Sequence, residues 1–90
     1  APPPPAPKPP SKEDRQRAIF KAACMGAGWA PHTFKNFEER ISEKMQGGQT
    51  YGAAASTILG FSGMTASDPD KGRILMKAAN QIKWIEDGEN

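Results

Sequence analysis

Apolar residues recur along this chain at three- and four-residue intervals, a spacing that predicts helices and no strand. The cleanest stripe is Phe34, Phe37, Ile41 and Met45, with Lys35, Glu38, Glu39, Arg40, Glu43 and Lys44 on the other faces. It predicts a helix over 34–46, capped by His32 or Thr33 and stopped at Gly47-Gly48. Upstream, Ala18, Ile19, Ala22, Ala23 and Met25 predict a helix over 12–25 with that set turned inward. Ser11 followed three residues later by Asp14 marks its start, and Gly26 and Gly28 mark its stop. Trp29, in the connector, is expected to anchor beneath the domain.

Behind a Thr50 cap, Tyr51, Ala54, Ala55, Ile58 and Leu59 share one face, and the run Ala53-Ala54-Ala55 keeps that helix slim. Gly60 and Gly63 are read as breakers, so this helix is expected over 51–59. Ser67-Asp68-Pro69-Asp70 then combines a cap, Ser67 or Asp68, with a first-turn proline and acids near the positive helix end. The fourth helix is expected over 69–86, with Ile74, Leu75, Ala78, Ile82 and Ile85 inward and Gly88 ending it. No segment alternates with period two. The expected fold class is therefore all-α, a compact four-helix domain over 11–88.

The stretch Leu59-Gly60-Phe61-Ser62 also resembles the end of the first helix of a helix-turn-helix. A second helix would then have to begin within 62–66, yet Gly63 weakens it and Asp68-Pro69 stops it. Proline inside a helix costs about 3 kcal/mol. The expectation is a helix stop, a short loop and a new helix.

Composition changes the picture at the N-terminus. Residues 1–10, "APPPPAPKPP", hold seven of the nine prolines and read as a linker. Proline fixes φ and donates no backbone hydrogen bond, so the run is expected to form a disordered, polyproline II tether. A spacer is the favoured reading over a ligand for an SH3-like domain. A chain opening on Ala-Pro-Pro reads as part of a longer protein. The lone cysteine, Cys24, has no internal partner, which favours a reducing, cytoplasmic compartment. No apolar run is long enough to span a bilayer, so no membrane partner is expected.

Net charge is +2, but its distribution is uneven. Lys12, Arg15, Arg17 and Lys21 in the first helix and Lys71, Arg73, Lys77 and Lys83 in the fourth make eight of the twelve bases. If the two helices are neighbours, these bases can neutralise phosphates, and Trp84 offers a plane on which a base stacks. The expected function is a non-catalytic nucleic-acid-binding accessory module of a larger DNA- or RNA-processing protein, its site Arg15, Arg17, Lys21, Lys71, Arg73, Lys77, Lys83 and Trp84. The alternative is a protein-docking module using an apolar patch around Phe61 and Met64, although a small domain is expected to use both residues to close its core.

Catalysis finds little support. His32 is the single histidine and Cys24 the single cysteine, which leaves no paired-histidine or multi-cysteine metal site. A Cys24–His32 nucleophile pair would lack an orienting acid and an oxyanion hole. Glu38, Glu39 and Glu43 read as solvated. The glycines of "MGAGWA" follow a helix, not a strand, so they do not form a nucleotide loop. Neither an enzyme nor a cofactor is expected.

Overall fold

The computed structural model describes Pro3 and residues 10–88. Four helices follow in order, α1 (Lys12–Gly26), α2 (Pro31–Gln46), α3 (Tyr51–Thr65) and α4 (Pro69–Glu86). No strand occurs among the described residues. The expected tether over 1–10 lies, Pro3 and Pro10 apart, outside them.

Local chemistry sets most helix starts. The Ser11 hydroxyl accepts from the Asp14 amide at 3.1 Å, and the Asp14 carboxylate accepts from the Ser11 amide in return. Thr50 caps α3 by accepting from the Ala53 amide, and Asp68 caps α4 by accepting from the Asp70 amide. The start of α2 departs from expectation. It begins at Pro31, with Ala30 as a cap that offers no side-chain bond, so neither His32 nor Thr33 caps it. Proline is at home in a first helical position, where its missing N–H has no partner to lose and its φ is already helical.

The larger correction concerns α3, which does not stop at Leu59 but runs on to Thr65. Gly60-Phe61-Ser62 is therefore helix, and the turn that a helix-turn-helix requires is absent. Tertiary packing overrides the roughly 1 kcal/mol that a glycine costs in a helix interior. A methyl on Gly63 would stand 3.0 Å from the Gly72 carbonyl oxygen, and one on Gly72 would stand 2.8 Å from that of Gly63. With the Met76 side chain also 2.7 Å from that Gly63 position, the two backbones meet with no room for a Cβ on either.

α4 lies between α1 and α3 and runs antiparallel to both. Lys12 and Gln16 reach the Glu86 and Ile82 end of α4, while Gly26 sits by Ile74. On the other flank Gly52 adjoins Glu86, Gly60 adjoins Ala79 and Gly63 adjoins Met76. α2 closes the opposite side of α3, with only Ile41 fully buried and Phe34, Phe37 and Met45 partly so.

The core holds Phe20, Ile41, Leu59, Leu75 and Ile82 at its centre. α3 buries the expected face entire. α1 is turned from the expected one: Gln16, Phe20, Ala23 and Cys24 face inward, while Ala18, Ala22 and Met25 are exposed. Phe20 sets this rotation by packing between the rings of Phe34 (centroids 5.6 Å apart) and Tyr51 (6.5 Å). The rotation carries Gln16 inside, where its amide donates to the Ile82 carbonyl and the Glu86 carboxylate, each at 3.2 Å. A buried polar group so satisfied costs little. On α4, Leu75, Ala78, Ile82 and Ile85 are buried as expected, but Ile74 stays at the edge. Trp29 stacks on Phe37 with centroids 4.6 Å apart, half-buried beneath the α1–α2 connection.

Candidate nucleic-acid interface on the fourth helix

The outward face of α4 is one row. Arg73, Lys77, Asn80, Gln81 and Trp84 stand at intervals of four, three, one and three, so they share one side of the helix. All five are exposed, and with the partly buried Met76 they line a shallow surface depression. From Arg73 to Trp84 the row runs about 16 Å at the usual helical rise. No acid stands within it. Asp70, one turn before, meets Arg73 at 3.6 Å, but both side chains are so exposed that the pair is weak.

Two grooves flank this row. On the α1 side Ile19, Ala22, Ala23, Ile74 and Ala78 form an apolar trough rimmed by Lys77 and Gln81. On the α3 side Ala53, Ser56, Thr57, Gly60 and Ala79 floor a second trough, with Asn80 and Lys83 and, at its end, the acids Glu86 and Asp87 along its rim.

The structure divides the eight bases. Arg73 and Lys77 share the outward row with Trp84, and Lys83 stands on the rim of the α3-side trough. Arg15 shares the α4-facing flank of α1 with Ile19 and Ala22, four and seven residues on, and so borders the same surface. Arg17 turns to the opposite flank, where its guanidinium lies 4.4 Å over the Tyr51 ring and 3.6 Å from the Glu13 carboxylate. Lys21, one turn on, follows it. Lys12 is held by Glu86, donating to its carbonyl oxygen at 2.7 Å. Lys71 sits apart, with its ammonium beside Gly28 in a cleft shared with Trp29, Ser67 and Asp68.

Phe61 and Met64 do not close the core. They are 69% and 77% exposed, on the outer face of α3. The extension of α3 explains this, because a continued helix aims 61 and 64 away from α4 while Gly60 and Gly63 face it. α3 carries no charged residue anywhere along its length.

Sequence reasoning passed over the polar cluster at the C-terminal end of α4. Glu86 accepts from Gln16 at 3.2 Å and from the Thr50 hydroxyl at 2.8 Å, and lies 3.7 Å from the Lys12 ammonium. Burial pushes its carboxyl upward, but bonds from Gln16 and Thr50 and the charge of Lys12 outweigh that and hold it below its ordinary 4.5. Gly52 leaves the space: a methyl there would run into the Gln16 amide and the Glu86 carboxylate. The cluster joins α1, α3 and α4, and its role is structural. Its signal in the sequence is Gly52 inside the first turn of a helix.

Cys24 is enclosed in the core, and burial, with Glu38 adding to it, pushes its thiol up to about 12. It stays protonated and poorly nucleophilic at neutral pH. His32 stands exposed in the first turn of α2. No cluster of three metal-ligating side chains exists among the described residues, and none of their helices is long and apolar enough to cross a membrane. Comparison with known proteins finds no matching family model, no matching curated protein and no matching solved structure.

Proposed function

We propose that this chain is a non-catalytic nucleic-acid-binding module of a larger DNA- or RNA-processing protein, and that it binds through the outer face of α4. The observation that carries the reading is the single exposed row of Arg73, Lys77, Asn80, Gln81 and Trp84. Two cations at one-turn spacing suit successive phosphates, the amides add hydrogen-bonding groups, and the indole offers a stacking plane. Lys83 and Arg15 extend the interface at its two rims. Arg17, Lys21 and Lys71 are left out, since they occupy other surfaces. The buried, protonated Cys24 suits a reducing, cytoplasmic setting.

Titration of a labelled oligonucleotide at two salt concentrations tests this. Arg73→Ala and Lys77→Ala should each weaken binding and lower the salt slope by roughly 0.7 to 0.9, while Lys21→Ala should change neither. Absence of binding at about 50 mM salt, where electrostatic contacts are near their strongest, would overturn the reading.

A second reading rests on a different observation, the exposure of Phe61 and Met64 on the uncharged α3. It is protein docking through that patch. Here Phe61→Ala and Met64→Ala abolish capture of the partner, and charge changes on α4 have minor effects.

A further inference from the structure

Resting on the α4 interface proposed above, we infer that its ligand is single-stranded nucleic acid and that Trp84 supplies the stacking plane for one of its bases. The argument turns on what flanks α4. A helix lying in the major groove of a duplex has a wall of phosphates on either side. Half to two-thirds of protein–DNA hydrogen bonds go to phosphate and sugar, and these fix the protein on the duplex. The elements beside α4 are badly equipped to make them. α3 offers no charged residue from Tyr51 to Thr65, and its troughward surface is alanine, serine, threonine and glycine. The adjoining edge of α1 is Ile19 and Ala22, with Arg15 and Lys12 its bases, and Lys12 is already held by Glu86. Phosphate walls would therefore rest on uncharged and apolar surface, losing hydration with almost no compensating contact.

A single strand asks for less. It needs one file of cations to follow its backbone and an aromatic face for an unpaired base. The row along α4 has both. Arg73 and Lys77 stand on the outward line, Lys83 stands at its edge, and Trp84 lies two turns beyond Lys77 with 59% of its surface open. The other tryptophan, Trp29, is already stacked on Phe37 and offers no comparable face. Unpaired bases expose the same π-face in DNA and RNA, so the chemistry is shared by both.

The test compares three probes of about 12 nucleotides, oligothymidylate, oligouridylate and a mixed-sequence duplex, with an abasic strand of equal length as control. At about 50 mM salt at least one base-bearing single strand should bind roughly tenfold or more tightly than the duplex. Whichever of the two binds better identifies DNA or RNA as the source. The salt slope should be about 2, as expected for three phosphate contacts on a single strand. Trp84→Ala, at an exposed position that leaves the fold intact, should weaken the base-bearing strand by about tenfold or more and leave the abasic strand unaffected. Trp84→Phe should restore most of that loss. In a Trp29→Phe variant the remaining indole should lose fluorescence on binding. A duplex bound as tightly as either strand, or a Trp84→Ala loss equal on base-bearing and abasic strands, overturns this inference and leaves the α4 interface standing. No binding to any probe overturns both.

Discussion

Gly63 and Gly72 hold α3 and α4 together by having no side chains: each stands so close to the other's carbonyl oxygen that a methyl group at either position would meet backbone. Backbone cannot swing aside as the end of a side chain can. Gly72→Ala should therefore cost about 1–3 kcal/mol, the usual penalty for overpacking, even though alanine is the better helix former. Gly60→Ala is the control on the same helix, because its methyl would meet only the Ala79 Cβ at 4.0 Å. That change should stabilise by about 0.5–1 kcal/mol. Urea unfolding of the two variants checks both signs, and a stabilised Gly72→Ala would mean that the helices are further apart.

The Glu86 cluster gives stability a pH dependence. Because the folded carboxyl lies below its ordinary 4.5, the unfolded chain binds the proton more readily. The contribution is complete above that value and disappears as pH falls through the lower folded one. Glu86→Gln should flatten this acid limb in denaturant midpoints measured from neutral pH downward. Gly52→Ala should destabilise at every pH, since it displaces the Gln16 amide from its buried bonds.

Two phenylalanines separate the core from its margin. Phe20 is fully buried between two other rings, so Phe20→Ala should cost roughly 3–5 kcal/mol. Phe37 is half-buried, and Phe37→Ala should cost less, about 1–3 kcal/mol, through lost burial and the Trp29 stack. Equal losses would mean that α2 is seated more deeply than its single buried residue, Ile41, indicates.

Phe61→Ala and Met64→Ala should leave stability within about 0.5 kcal/mol, as surface changes do. Thermal unfolding checks this. A large loss would show that both side chains pack inward.

Cys24 should resist alkylation at pH 8 in the folded protein and react readily in denaturant, because its thiol is raised to about 12 and enclosed. The rate of iodoacetamide labelling then reports opening of the core. Rapid labelling under native conditions would contradict this burial.

What the sequence made legible follows from how local each feature is. The helix starts at Ser11, Thr50 and Ser67-Asp68 depend on residues two or three apart; the first two stand as read, and of the last pair Asp68 is the cap. The buried face of α3 depends on periodicity alone and also stands. The end of α3 does not, because Gly60 and Gly63 look like breakers until α4 is seen against them. α1 was misread for a similar reason: Gln16 counts as polar in any pattern, and only Ile82 and Glu86, far along the chain, make it an inside residue. The candidate interface divides likewise. Arg73, Lys77 and Trp84 share a row by spacing, whereas nothing local shows that Arg17 lies over Tyr51 or that Lys12 is held by Glu86.

The Lys12–Glu86 contact brings the first turn of α1 against the last turn of α4, so the backbone arrives at and departs from the domain at one pole. Tension applied through residues 10 and 88 thus acts across the paired helices, not along them. It loads one contact at a time, beginning with Lys12–Glu86, then Gln16–Ile82, then the trough at Ile19 and Ala78. A domain pulled in this way yields by peeling, at low force. Pulled instead from residue 10 and Ser67, which lies at the opposite pole beside Gly28 and Trp29, it is loaded along its helices and should hold to a higher force, a difference that optical-tweezer measurements on the two attachment geometries would register.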